Sequence, residues 1–338
     1  MKHTTIKDVA KRLNCSVSTV SRAFNDKDDI KKEKRELVLA TAKEMGYFPN
    51  PIAKSLLKQC TNQIGVVVPE FINSFFPEVI MGIQDVFLKK GYQVLIMQSS
   101  ESHENEIENI KTLENNMVDG MIISLSQESK NVDYLKSLVE KGFPLVLFNR
   151  VAKEIETSKV IIDDYKWSFF ATEHLIYHGY KNIFHFAGPA GMMFTQNRKN
   201  GFIDAHKKHK RKVDEKKIIE TGLMLPDGEH VMENLINSNN MPDAIFAVND
   251  LTAVGAMKAL KKHGFKIPGD VALVGFTESK IAALIDPPLT SVAQPTFEIG
   301  QTAAKLLLDQ IECKGIFLPQ TIVLNGRLNV RESSMKLI

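Results

Sequence analysis

The chain has 338 residues, 43% hydrophobic and 25% charged, with a net charge of only +3, which allows about two or three domains. Charge is unevenly placed: residues 1–60 carry 13 Lys and Arg against 7 Asp and Glu, while the rest carry 30 against 33. There is no apolar leader and no apolar run of about 18 residues, so nothing indicates export or a membrane span and a cytoplasmic protein is expected. Cys15, Cys60 and Cys313 are far apart and show no CxxC or Cys/His spacing, so reduced thiols and no metal site are expected.

The first elements are two short helices joined by a tight turn. Thr5 is placed as an N-cap, with Asp8 where a capping-box acid sits. Ile6, Val9, Ala10 and Leu13 recur at helical spacing, and Asn14 suits a left-handed turn. Ser16 caps the next helix, which turns Val20, Ala23 and Phe24 inward and leaves Val17, Ser18, Ser21, Arg22 and Asn25 on the other side. That outer face has the chemistry for reading DNA. Arg22 fits guanine O6 and N7, Val17 a thymine methyl, and Ser18 several base edges. Thr5, Thr19 and Ser21 suit phosphates. A third helix over about Lys32 to Met45 ends at Gly46, although Lys31 is a poor start signal.

Pro49 to Lys58 follows. Asn50 can cap and Pro51 suits the first helical position, but about eight residues are too few for a stable isolated helix. Ile52, Ala53, Leu56 and Leu57 therefore need a partner.

From Ile64 onward an apolar strand, an amphipathic helix, a glycine and an aromatic recur. The helix ends read Lys90-Gly91-Tyr92, Lys141-Gly142-Phe143, His178-Gly179-Tyr180 and His263-Gly264-Phe265. Strands are expected at 64–68, 94–97, 120–124, 145–148, 160–162, 183–187, 244–248 and 271–275. Such units imply parallel sheets covered on both faces, and their number implies two lobes with strand ends facing across a cleft. Asn149, Arg150, Asp163, Asn249 and Asp250 all follow strand ends. Polar groups beside an aromatic plate suit a sugar.

The run Thr5-Ile6-Lys7-Asp8-Val9-Ala10, Ser16, Thr19-Val20-Ser21-Arg22 and Asn25 resembles the DNA-binding headpiece of the lactose-repressor (LacI/GalR) family, with Leu13-Asn14-Cys15 replacing the usual turn. The resemblance continues through Gly46-Tyr47 and Pro49-Asn50 and along the whole chain. It implies an all-α helix-turn-helix headpiece (1–48), a hinge helix (49–60) and a two-lobed α/β core of periplasmic-binding-protein type (61–338). The lobes would be 61–161 with 293–320, and 162–292 with 321–338. The resemblance places Asn50, Ala53 and Leu56 on DNA, with Leu56 matching the leucine that wedges into the minor groove. It assigns Phe75, Phe76, Arg198 and Asn249 to the effector. Thr277 stands where the family commonly has an effector-contacting aspartate, and the neighbouring Glu278 has no assigned direction.

The implied protein is a homodimeric, allosteric regulator of transcription, in all expectation a repressor, with operator DNA and a carbohydrate as partners and no cofactor. Alternatives are a regulator responding mainly to a protein co-effector and a solute-binding protein. An enzyme is not expected, because no P-loop, GxGxxG, HExxH or GxSxG run is present. The absence of a C-terminal heptad tail argues against a coiled-coil tetramer.

Overall fold

The structure is a computed structural model that describes residues 4–24, 30–48, 60–127, 129–313 and 315–336. The chain divides into two compact units, residues 1–62 and 63–338.

The first unit contains α1 (Ile6–Arg12), α2 (Val17–Phe24) and α3 (Lys32–Glu44). The Asp8 carboxylate accepts the Thr5 N–H at 2.9 Å and its hydroxyl at 2.7 Å, which anchors the start of α1. Asn14 turns the chain at φ 46°. The Ser16 hydroxyl then accepts the Thr19 N–H at 3.1 Å and caps α2. As the periodicity requires, Val9, Ala10, Val20, Ala23, Val38 and Ala42 form one small core, closed by Tyr47. Lys31 makes no side-chain cap, in line with the weak start signal, and Gly46 ends α3 at φ 64°.

The second unit has two six-stranded sheets. The first contains β1 (Gln63–Val68), β2 (Gln93–Gln98), β3 (Gly120–Ile123), β4 (Leu145–Phe148), β5 (Ser158–Ile162) and β11 (Thr321–Leu324). Their order is β11-β5-β4-β3-β1-β2, and every pair is parallel. The second contains β6 (Ile183–Phe186), β7 (Ile218–Ile219), β8 (Ala244–Ala247), β9 (Ala272–Thr277), β10 (Thr290–Ala293) and β12 (Arg327–Asn329). Their order is β12-β10-β9-β8-β6-β7, with β12 alone antiparallel.

Among the connecting helices, α4 (Phe75–Lys89), α5 (His103–Asn115), α6 (Val132–Glu140) and α11 (Thr296–Glu312) serve the first lobe. Helices α7 (Asp164–Tyr177), α8 (Met193–Lys208), α9 (Leu225–Asn237) and α10 (Asp250–Lys262) serve the second. Helices α4 and α11 cross at glycines. A Cβ on Gly82 would lie 2.1 Å from the Phe297 carbonyl oxygen, and one on Gly300 would lie 2.0 Å from that of Val79. The backbones therefore touch, and no larger residue fits without moving a helix.

The eight anticipated strands all form. Four more were not anticipated: β7, β10, β11 and β12. They are short or lie at sheet edges, where hydrophobic patterning is weak. One expected boundary changes. Residues 321–324 pair with β5, Ile322 opposite Val160, so they belong to the first sheet rather than to the second lobe. The chain thus passes between the lobes after β5, after β10 and after β11.

Candidate functional site

The first unit presents the expected face. Val17 is 41% exposed, Ser18 and Arg22 are exposed, and Thr19 and Ser21 are half-buried. Ser16 sits 2.8 Å from both the Ser18 and Thr19 hydroxyls, so three hydroxyls cluster at the start of α2. The N–H groups of a helix start and hydroxyls suit a phosphate, and the exposed Arg22 and Val17 suit base edges. Asn25, Asn50, Ala53 and Leu56 lie outside the described residues.

In the second unit, strand ends of both lobes converge on one cavity, lined by Phe75, Phe76, Asn149, Arg150, Arg198, Asn249 and Thr277. These are seven of the anticipated residues. Phe75 and Phe76 open α4 and meet edge to face, with centroids 5.1 Å apart. Asn149 takes the left-handed conformation at φ 56° just after β4, which turns the chain toward the cleft.

Arg198, on α8, is enclosed. Its Nε and Nη2 donate to Asp164 Oδ1 at 2.9 and 2.7 Å, and its guanidinium lies 3.5 Å from the Phe276 ring centroid. Its Nη1 donates to the Val248 carbonyl. Each Nη keeps a second N–H. Burial pushes the Asp164 carboxyl above the usual carboxylate range, and the adjacent guanidinium opposes that shift. Asn249 is the N-cap of α10. Its Oδ1 accepts the Thr252 N–H and its Nδ2 donates to the Leu223 carbonyl, both at 2.8 Å. It therefore combines capping with lining the cavity.

Asp163 is a correction. It is absent from the cavity lining and caps α7, accepting the Lys166 N–H at 2.9 Å. The next residue, Asp164, is the one that turns inward to Arg198. Asp250 is also structural: its carboxylate accepts the Ser291 hydroxyl at 2.6 Å and the Ser279 N–H at 2.5 Å. It holds the turn in which Thr277 has φ 126° and Glu278 has φ 60°. Glu278 ion-pairs with Arg331 in the C-terminal segment. Only Thr277 of this turn lines the cavity.

Sequence reasoning missed Glu70, Asn73, Phe194 and Gln294, which with Leu223, Met224 and Leu251 complete the lining. Phe194 lies between the two guanidiniums, with Arg198 4.8 Å and Arg150 5.9 Å from its ring centroid. Glu101, distant in sequence, takes Arg150 Nη1 on both carboxylate oxygens at 2.8 Å. Glu70 is 5% exposed and accepts the Asn73 N–H at 2.8 Å. Burial raises its carboxyl above the ordinary value. No local signal marked these residues: Phe194 and Glu101 act on arginines remote in the chain, and Glu70 and Asn73 lie in an irregular loop after β1.

The enclosed space is about 40 Å³, room for a few waters. A recess of about 720 Å³ shares Arg150 and Phe194 with it. A ring-sized ligand therefore enters only if the lobes separate or these two side chains swing aside. Among the described residues no group of three or more His, Cys, Asp or Glu is placed to hold a metal, and no helix is long and apolar enough to cross a membrane.

Residues 5–50 match the family model described as bacterial regulatory proteins, lacI family, and residues 61–324 match periplasmic binding proteins and sugar binding domain of LacI family. The ribose operon repressor of Halalkalibacterium halodurans is 34% identical over 315 residues, covering 92% of this chain and 91% of that protein. The HTH-type transcriptional repressor CytR of Escherichia coli (strain K12) is 33% identical over 310 residues, covering 91% and 90%. Among solved structures, a complex of the transcriptional regulator CelR with cellobiose superposes with a TM-score of 0.75 at 30% identity, covering 98% of this chain and 100% of that one. With both family models matched along nearly its full length, this chain belongs to the LacI family of DNA-binding transcriptional regulators.

Proposed function

We propose that this chain is a cytoplasmic, non-enzymatic repressor that binds operator DNA as a homodimer and senses an uncharged carbohydrate between its lobes. Arg22, Val17 and Ser18 read bases, while Thr5, Ser16, Thr19 and Ser21 take phosphates. Asn25, Asn50, Ala53 and Leu56 extend the DNA contacts, as the family resemblance implies. Two headpieces on a dimer fit a pseudo-palindromic site.

The observation that carries the effector class is charge pairing in the cleft. Arg150 is neutralised by Glu101 and Arg198 by Asp164, while among the described residues the enclosed Glu70 has no cationic side chain bonded to it. The pocket thus offers guanidinium N–H groups, Asn149, Asn249 and Thr277 to hydroxyls, and Phe75, Phe76 and Phe194 to the apolar face of a ring. It offers no uncompensated positive charge for a phosphate. Related regulators named for ribose and bound to cellobiose support the same class.

Ligand that binds the lobes differently in their two arrangements shifts the dimer between DNA-binding states. The test is calorimetry with neutral sugars and their phosphates, followed by operator titration at fixed salt. A neutral sugar should bind and change operator affinity about 5–150-fold. Heat with no sugar or sugar phosphate is the result expected of a regulator driven by a protein co-effector, and would overturn the reading.

A further inference from the structure

The second lobe carries another recess, of about 420 Å³, lined by Lys181, His206, Arg211, Lys212 and Lys217 against the apolar Ile183 and Phe202. It shares no residue with the cleft. The entry into β6 supplies Lys181, the end of α8 supplies His206, and the link from α8 to β7 supplies the other three.

No carboxylate lines this recess, and among the described residues none of the four Lys and Arg makes an ion pair. Carboxylates stand outside the lining: Asp243 accepts the Lys181 and Asn182 N–H groups at 2.7 and 2.9 Å, and Asp214 accepts the Lys216 N–H at 3.0 Å. Four cations gathered with no carboxylate among them favour water or an anion beside them.

Two features make the recess more than a solvated patch. Arg211 is tethered, its Nη1 donating to the Tyr180 carbonyl at 2.5 Å, so its guanidinium is held in place. His206 is 5% exposed and its Nδ1 bonds the Phe202 carbonyl at 2.9 Å, which leaves Nε2 as the atom available to a ligand. Burial holds the His206 imidazolium below its ordinary pKa; the bond to the Phe202 carbonyl opposes that shift, and Arg211 and Lys217 add to it.

We propose that this recess is a second ligand site, separate from the cleft, that binds a phosphorylated small molecule. Its phosphate oxygens meet Lys181, Arg211, Lys212 and Lys217, and its organic part lies on Phe202 and Ile183. The volume falls within the usual span of small-molecule sites, about 300–1,000 Å³.

The test is isothermal titration of the full-length protein with AMP and with inorganic pyrophosphate at constant ionic strength. Saturable binding of at least one is expected, with affinity at least tenfold weaker in the triple variant Lys181→Gln, Lys212→Gln, Lys217→Gln. The cleft variant Gln294→Ala should bind the same anion unchanged. If the triple variant melts below the parent, Lys212→Gln alone carries the comparison, because its side chain is exposed. Absence of saturable binding by both anions, binding indifferent to these lysines, or binding lost in the cleft variant would overturn the proposal.

Discussion

Arg198 and Asp164 form a buried ion pair at the floor of the cleft, Nη2 to Oδ1 at 2.7 Å, with both residues almost wholly enclosed. Removing one partner leaves the other charge in a low-dielectric site with water excluded. Asp164→Asn should therefore cost about 3–5 kcal/mol of stability, read as a lower urea midpoint of the core transition. A loss below about 1 kcal/mol would show that solvent reaches the pair.

Thr277 makes the opposite prediction. Its φ of 126° lies where glycine is at ease and a β-branched residue is strained. Thr277→Gly should stabilise the core by about 1 kcal/mol, while weakening effector binding through loss of the hydroxyl. Chemical denaturation and sugar titration on the same variant separate the two effects; a loss of stability would contradict the assignment of strain.

Acidification should weaken the core. Burial lowers His185 to about 3 and His174 to about 4, so both are neutral in the folded protein at pH values where the unfolded chain is protonated. Below about pH 6.5 the unfolded state binds more protons, and stability falls as pH drops toward these folded values. For the fully enclosed His185 the slope is about 1.4 kcal/mol per pH unit. Its ring stacks on Phe246 at 4.8 Å and on Phe202 at 5.1 Å, so His185→Phe keeps the packing. Melting temperatures between pH 7 and pH 4.5 should fall less steeply in that variant than in the parent.

For DNA, Arg22→Ala should cost about 1–3 kcal/mol and relax preference at one G·C position. Titration against a set of operator variants measures both. Uniform loss across the set would instead make Arg22 a phosphate contact.

The expectations that succeeded rest on local pattern. Val9, Val20 and Val38 meet because helical spacing turns them to one side, and Asn14 turns the chain because its side chain tolerates a left-handed backbone. The strand-end rule brought Asn149, Arg150 and Asn249 to the cavity. The same rule failed at Asp163, because a helix start has two uses for adjacent acids: one caps, the other turns inward. Sequence position alone does not assign those uses.

The sequence by itself determined the three-helix first unit and the alternating strands and helices of the core, which follow from hydrophobic period, capping and turn chemistry within a few residues; it also marked Asn149, Arg150 and Asn249 at strand ends, while Phe75, Phe76, Arg198 and Thr277 came from the family resemblance. Only the tertiary structure decided the partners: Asp164 for Arg198, Glu101 for Arg150, Phe194 between them, Glu278 for Arg331 and β11 beside β5. Each of these joins residues brought together by lobe packing and strand register. Coulomb attraction and desolvation act on spatial neighbours, and a residue's spatial neighbours are not written in its own stretch of chain.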